Sequence, residues 1–521
     1  MSKKFDVIII GSGFGGAVTA CRLAEAGAKV LVLERGRRWQ VKDYPRQAGD
    51  AWLYEHTYPQ KFNGWLDLRI YKGMLVAVGA GVGGGSLCYS SVVVKATSQR
   101  FEEGWPPEIT YDELLPYYEK VRTMMNVREI PSGQYTKRYK LLRQAAKKLG
   151  YGDRFKSLPL ALSFDPEWNY DLPDPLNSNN SKTYINPQGQ EQGTCIHLGN
   201  CDLGCEVKAK NTLDLNYIPR AEQKGAEVRP LHMVRYIEPD GQGYRVIFDR
   251  IEDGRLVRGE EHSEKVVLAA GSLGSTEILL RCRDQYKTLP KISKVLGHNW
   301  SANANVLTPD FYPQGSQVEQ SIGPTISGGL EFMDGSIDGQ RFIIEDDGFP
   351  NLLLNALNDK LGSSESSLLT FVLRDRLKRG VDEKNPLKNL MVWLGAGVDA
   401  SDGQLFLGRQ WFKFWKRDLQ LKWDPSRSQK VIDSILKIHH KLSEVNGGKL
   451  EPLPVMATVH PLGGCKMGNN FNDGVVNHCG EVFGYQNLYV ADGSIVPKAI
   501  GRNPSMTIGA LAERVAHLIT N

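Results

Sequence analysis

The chain has 521 residues, 41% of them hydrophobic, 24% charged and 9% aromatic, which excludes global disorder and a fibrous repeat. That length can bury a large core without disulfide or metal staples, and it corresponds to about three domains or two large interleaved ones. Lys and Arg number 64 against 59 Asp and Glu, a net charge of +5, too mild to point to nucleic acid.

In chain order, residues 5–10 (FDVIII) read as a strand buried on both faces. The turn GSGFGG at 11–16 follows at once. A helix is predicted over 17–26, with Ala17, Ala20, Leu23 and Ala24 on one face and Gly27 as its stop. A second strand is predicted over 29–33, ending in Glu34. Residues 37–70 are aromatic, polar and irregular, a covering segment. A second glycine loop, GAGVGGGS, occupies 79–86. The helix predicted over 111–125 has Thr110 as its cap and Asp112 and Glu113 in its first turn. Residues 160–193, rich in Pro, Asn and Ser, read as loop. A helix over 212–224, short strands over 226–230, 234–237 and 244–249, a buried strand over 265–270 and a helix beginning at 276–282 follow. Beyond residue 300, alternation over 389–394, 404–407 and 418–423 suggests antiparallel strands, and 428–445 reads as an amphipathic helix. A strand over 488–491 and a helix over 505–519 close the series. The fold class is α/β (α+β overall): a Rossmann-like nucleotide-binding domain built from several segments and interrupted by a mostly antiparallel domain.

The first glycine turn has the full context of a dinucleotide fingerprint: a strand before it, a helix after it, and an acidic residue ending the next strand. Gly11 allows the tight turn, Gly13 lets backbone approach a pyrophosphate, and Gly16 lets helix and strand pack closely. The helix start offers unpaired N–H groups to phosphates, and Glu34 is placed to accept from a ribose. The plainer alternative is a glycine-rich turn with a surface Glu. The fingerprint does not separate NAD from FAD. Its place at the start of the chain, with a matching strand and turn at 488–494 near the end, suits a long cofactor held by both, hence FAD. The opening MSKKFDVIII lacks a secretory-leader pattern, and no apolar run reaches the ~18 residues of a membrane span. With eight cysteines, a cytoplasmic location with reduced thiols is the expectation.

Five blocks are recognisable together: GSGFGGAV near the start, GAGVGGGSL at 79–87, VVLAAGSLGSTEILL at 266–280, HPLGGCKMG at 460–468, and NLYVADGSIVP with GRNPSMTIGALAERVA within 487–516. They resemble the glucose–methanol–choline (GMC) family of FAD-dependent oxidoreductases, and within it most resemble bacterial cholesterol oxidases. The stretch 305–455 matches poorly. The resemblance implies an FAD-binding domain made of 1–36, 71–125, 194–300 and 456–521, and a substrate-binding domain with covering loops made of 37–70, 126–193 and 301–455.

It also implies cofactor roles. Gly11, Gly13, Phe14, Gly15, Gly16, Glu34 and Arg35 would hold the ADP half. Gly79, Gly83, Gly84, Gly85 and Ser86 would run beside the pyrophosphate and flavin. Val234 would meet adenine through its backbone, and Ala270 and Gly271 would end a strand against the cofactor. Asp492 and Gly493 would contact the diphosphate and ribityl chain, and Asn503, Pro504 and Met506 would lie near the isoalloxazine. With no His in the second glycine loop to attach the flavin, FAD is expected to be non-covalent. Cys88 there is an outside candidate for a reactive thiol or a flavin attachment, with a small buried apolar residue as its plainer reading.

His460 precedes the rigid turn Pro461-Leu-Gly-Gly464. Imidazole titrates near neutrality and can take a hydroxyl proton. The amide of Asn503 can orient a substrate oxygen. The resemblance implies that this pair works beside flavin N5, to which the hydride passes. The expected substrate is a bulky apolar, sterol-like alcohol, with oxygen or another carrier as electron acceptor. Other readings of the same scaffold are a flavoprotein lyase or decarboxylase, or a non-catalytic FAD-holding protein.

The sequence departs from the resemblance in two places. Tyr89 and Ser90 replace an Asn-Gly pair. The glutamate that helps cholesterol oxidases shift a steroid double bond has no match in 388–395 or 349–355. Glu331 and Glu345 are the remaining candidates, with solvated carboxylates as their plain reading, so isomerase activity is in doubt. Cys195, Cys201 and Cys205, with His197 among them, fit neither a standard zinc nor a ferredoxin spacing, and no metal is assigned. The basic and apolar segments 371–379 and 409–417 could touch an anionic membrane surface. Their plainer reading is a helix and an edge strand with solvated Lys and Arg.

Overall fold

The strand Phe5–Ile10 lies inside a parallel layer, between Val30–Leu33 on one side and the inner end of Arg255–Leu268 on the other. Its apolar run fits a position with both faces covered. The computed structural model describes residues 5–46, 50–313, 316, 318–350, 389–410, 413–453 and 455–521. The sheet has seven strands, in the order His232–Asp240, Gly243–Glu252, Arg255–Leu268, Phe5–Ile10, Val30–Leu33 and Glu227–Arg229, with Leu488–Val490 also paired to Arg255–Leu268. Arg255–Leu268 serves two layers. Its outer half pairs antiparallel with Gly243–Glu252, and its inner end pairs parallel with Phe5–Ile10 and Leu488–Val490. The charged run RGEEHSE hid that outer half from the sequence reading, which expected only 265–270. The helices Phe14–Glu25 and Ser505–Thr520 pack against each other beside this sheet, and Arg22 pairs with the buried Glu513 at 2.8 Å.

The second large sheet has six antiparallel strands: Lys449–Leu450, Val306–Phe311, Leu390–Gly397, Phe342–Asp347, Gly328–Glu331 and Phe155–Ser157. The helices Lys137–Lys148 and Gln429–Asn446 cover one face. Leu142, Ala145, Ile435 and Ile438 meet Phe342, Ile344, Met391 and Trp393 there. Side chains alternate along a strand, so Ile343, Glu345 and Asp347 take the other face, where Ile343 joins Leu394, Ile326 and Val92. A four-stranded sheet, Met456–Thr458, Met74–Gly79, Leu66–Tyr71 and Leu53–Tyr54, forms a flap. The expected boundary between residues 70 and 71 thus falls within the hairpin of Leu66–Tyr71 and Met74–Gly79.

The covering segment 37–70 is less irregular than expected, and the reason is its inverted polarity: in Leu66–Tyr71 the buried side chain is Asp67, while Ile70 is 65% exposed. The strands Gln404–Gln410 and Lys413–Lys422 pair antiparallel. The segment 371–379 lies outside the described residues, as do the side chains of 410–416. No helix among the described residues is long and apolar enough to cross a membrane.

Candidate active site

A continuous cavity of about 550 Å³ runs from the first glycine turn, between the parallel layer and the flap, to the open face of the antiparallel sheet. The glycines bring its walls together. At Gly11 (φ +98°) a Cβ would sit 2.5 Å from the Ala269 carbonyl oxygen. At Gly15 it would sit 1.7 Å from that of Ala491, and at Gly16 2.0 Å from that of Gly11. Only glycine lets the first helix start this close to two strand ends. Gly13 and Gly84 face each other across the loops, where a Cβ on Gly84 would meet Gly13 Cα at 2.5 Å.

The groups that remain open fit a dinucleotide. Glu34 is 5% exposed. Its Oε2 accepts from the Ser12 N–H at 3.0 Å and hydroxyl at 2.7 Å, and its Oε1 from the Gly36 N–H at 2.9 Å. A carboxylate has about four acceptor positions, which leaves one for a ribose hydroxyl. A Cβ added to Gly85 or Gly271 would meet no protein atom within 4 Å, so bare backbone is presented there to a flat ligand. Phe14, Arg35, Gly79, Val234 and Ala270 also line the cavity. Bound here, FAD supplies the two-electron acceptor that no side chain provides.

Four of the predicted cofactor residues stand behind the wall rather than in it: Gly16, Gly83, Ser86 and Met506 do not line the cavity. Ser86 locks its loop, donating to the Gly83 carbonyl at 2.7 Å and accepting from the Leu213 N–H at 3.0 Å. Gly83 adopts φ +109°, with its N–H donating to Ser12 Oγ at 3.2 Å. Asp492 lines the cavity, but four protein donors hold its carboxylate. Its Oδ2 accepts from Gly271 N and Ser275 Oγ, and its Oδ1 from Ser494 N and Oγ. It ties the end of Leu488–Val490 to the helix Gly271–Leu280, and its backbone is what remains for a ligand.

At the other end, His460, Pro461, Gly493, Asn503 and Pro504 line the cavity. The turn after His460 is stitched to both neighbours: Leu462 pairs with Ser301, and Gly463 N–H donates to the Gly493 carbonyl at 2.9 Å. The backbone N–H of His460 donates to Thr458 Oγ1 at 3.0 Å. Its Nδ1 is buried without a partner among the described residues, and burial pushes the imidazole down to about 4, so it rests as a neutral base. Asn303 holds the loop before Asn503, accepting from the Ile500 and Gly501 N–H groups and donating to the Arg502 carbonyl at 2.9 Å.

Asn503 donates from Nδ2 to Glu345 Oε2 at 3.3 Å, and its Oδ1 has no partner. Glu345 is therefore no solvated carboxylate. It is fully buried in Phe342–Asp347, opposite Leu394. Burial raises it to about 8 against the opposing Asn503 hydrogen bond, so it is a neutral acid at pH 7. Glu331 is half-buried and pairs with Arg502 at 2.9 Å.

Several cavity residues, among them His56, Arg69 and Glu277, were not predicted as site residues. Glu277 and Arg69 pair at 3.0 Å, Glu277 and His56 at 3.3 Å, and Arg35 and Asp67 at 2.7 Å, clamping the flap to the helix Gly271–Leu280 and the parallel layer. Asp202 and Asp347 also line the wall. Inward-facing acids on a strand leave no trace unless the strand's buried face is known. Cys88 lines the cavity, its thiol pushed up to about 12 by burial. Cys195, Cys201 and Cys205 are free thiols. His197 is an internal prop, stacked on Trp168 and bonded to the Tyr170 hydroxyl at 2.7 Å. Among the described residues no group of three or more His, Cys, Asp or Glu is placed to hold a metal ion.

Comparison with known proteins agrees with this geometry. The GMC oxidoreductase family models match residues 5–157 and 452–512. A cholesterol oxidase of Acinetobacter baumannii is 30% identical over 99% of this chain and 94% of its own. One of Mycobacterium tuberculosis is 29% identical over 100% and 92%. The solved structure of pyridoxine 4-oxidase from Mesorbium loti shares the fold, with a TM-score of 0.61 at 14% identity over 99% of both chains. The chain belongs to the GMC oxidoreductase family and is an FAD-dependent alcohol oxidoreductase.

Proposed function

We propose that the protein oxidises a largely apolar, sterol-like secondary alcohol to its ketone, with His460 taking the hydroxyl proton and Asn503 holding the oxygen. The observation that carries this reading is a pair of buried polar atoms without partners, His460 Nδ1 and Asn503 Oδ1, in the wall of one cavity. A hydroxyl between them would donate its proton to the imidazole and accept from the amide as charge builds on oxygen. The neighbouring walls are Leu307, Ile326, Phe349, Leu394 and Leu453, which suits an apolar body. In this reading the segments 1–36, 71–125, 194–300 and 456–521 bind the cofactor, and 37–70, 126–193 and 301–455 shape the substrate's place. The eight unpaired cysteines support a cytoplasmic setting.

Anaerobic mixing with steroids, long-chain alcohols and sugars tests it. Lasting flavin bleaching by an apolar alcohol is expected, and bleaching by none would favour the lyase reading. Oxygen uptake during turnover decides the acceptor. A second reading rests on Glu345: in its carboxylate form, beside Asn503, it would take the proton from the carbon next to the new carbonyl and return it to the far carbon of the double bond. A 3-hydroxy-5-ene steroid should then yield a conjugated enone. An unconjugated ketone as sole product would exclude that step.

A further inference from the structure

Two acidic side chains in the cavity wall have no part in the chemistry above. Asp347 ends the strand Phe342–Asp347, and Asp202 sits in the turn Cys201–Leu203. Three acids run consecutively in that strand, and their fates differ. Asp346 points away, accepting from Ser327 N, Ser327 Oγ and Gly328 N. Glu345 is held by Asn503. Asp347, 6% exposed, lines the cavity, and among the described residues no hydrogen bond or ion pair meets its carboxylate. Asp202 has one weak partner, Ser90 Oγ at 3.3 Å.

The nearby cations are committed elsewhere. Lys210 Nζ donates to the carbonyls of Leu87, Tyr89 and Cys201, and Arg138 to those of Ile322, Pro324, Thr325 and Asp346. The same cavity wall carries the apolar Val92, Ile326, Phe349 and Leu394 beside Ser90. A carboxyl buried among such groups without a donor is costly, and a fold that merely needed filling would place Leu or Asn there. Burial raises Asp202 to about 6 and Asp347 well above the ordinary carboxylate range, the latter further raised by the charge of Asp202.

Residues i and i+2 of a strand stand about 7 Å apart. Asp347 is therefore roughly that far along the strand from Glu345, which stands behind the cavity lining and holds Asn503.

We propose that Asp347 and Asp202 form a second polar subsite of the substrate cavity, receiving a hydrogen-bond-donating group, an ammonium or a hydroxyl, that the substrate carries away from its reacting carbinol. This rests on the alcohol-oxidising reading of the cavity and narrows it. The substrate is bifunctional, an amino alcohol or diol with an apolar body between its two polar ends.

The test uses the holoenzyme and three matched secondary alcohols on one sterol-like apolar skeleton: an alkanol, the same alkanol with a second hydroxyl at its far end, and the same with a far-end amine. In anaerobic flavin reduction, kcat/KM for a bifunctional compound should exceed that of the alkanol at least ~10-fold, because a site built to bond a donor rejects the analogue lacking it. Preference for the amine over the diol would identify the donor as cationic, and the reverse as neutral. Asp347→Asn and Asp202→Asn should each cut the bifunctional-to-alkanol ratio at least ~5-fold, with flavin content and thermal midpoint checking that each variant folds. A wild-type ratio near one overturns the subsite, whether or not the variants fold, and so does a ratio that neither substitution changes. If none of the compounds reduces the flavin, the reaction reading fails, and all three then serve as ligands. Saturable perturbation of the oxidised flavin spectrum, tighter for the bifunctional pair and weakened by Asp347→Asn, would still support the subsite. Equal binding of all three would overturn it.

Discussion

At the scale of single residues, burial tunes His460 and Glu345 in opposite directions, and each shift has a signed consequence. His460 rests near 4 against an ordinary 6.5, so between those values the unfolded chain takes a proton that the native imidazole refuses. Stability therefore falls as pH drops from 6.5 towards 4. Glu345 rests near 8 against 4.5, so the native state holds a proton the unfolded chain has lost, and stability falls as pH rises from 4.5 to 8. Thermal midpoints across pH should show both slopes, with His460→Gln flattening the acid one and Glu345→Gln the alkaline one. Flavin reduction by substrate should be flat near neutrality, fall towards pH 4 as the base protonates, and change above about 8 as a charge appears beside Asn503. His460→Ala should slow flavin reduction roughly 10²- to 10⁴-fold while the FAD content stays full.

At the scale of elements, the first helix and the flap are what the cofactor depends on. Gly15→Ala would place a methyl group 1.7 Å from the Ala491 carbonyl. It should cost roughly 2–4 kcal/mol in chemical denaturation and deplete FAD. Glu277→Gln would leave Arg69 and Arg281, both largely buried, without their shared carboxylate. The flap should loosen, and FAD should dissociate at least ~10-fold more readily in a fluorescence titration.

These elements were not equally legible in the sequence. The glycine turn could be read because close backbone approach demands one residue type, and the turn after His460 for the same reason. The helix Lys137–Lys148 went unread, although its buried face of Tyr139, Leu142, Ala145 and Ala146 has helical spacing. The strand Leu66–Tyr71 was hidden by its inverted polarity. The predicted helix over 212–224 is a short turn followed by Tyr217–Gln223, since Asn216 breaks the run with a conformation that fits neither helix nor strand.

At the scale of the whole molecule, the same division explains which part of the site could be read. The cofactor half is marked by backbone needs, so residues such as Gly11, Gly13 and Glu34 stand out singly. The substrate half depends on strand register: Glu345 reaches Asn503 from a position opposite Leu394, 49 positions away, and nothing local to FIIEDD distinguishes Glu345 and Asp347 from Asp346. Because the cavity touches the parallel layer, the flap and the antiparallel sheet together, FAD should stabilise them as one. Adding FAD to about 100 times its Kd should raise stability by about 2.7 kcal/mol and shift a single melting transition. Two transitions, only one of them FAD-dependent, would show that the sheets unfold separately.

The contact of Gly15 with Ala491, together with the pairing of Arg22 to Glu513, also sets an order of events during synthesis. The ribosome makes the phosphate-binding turn nearly five hundred residues before its opposing wall. Until then the nascent chain holds half a nucleotide cleft, with the apolar faces of Phe5–Ile10 and Phe14–Glu25 uncovered. Loading of the flavin should therefore wait until Ala491 has been made. A chain stalled before residue 488 should bind chaperones rather than FAD.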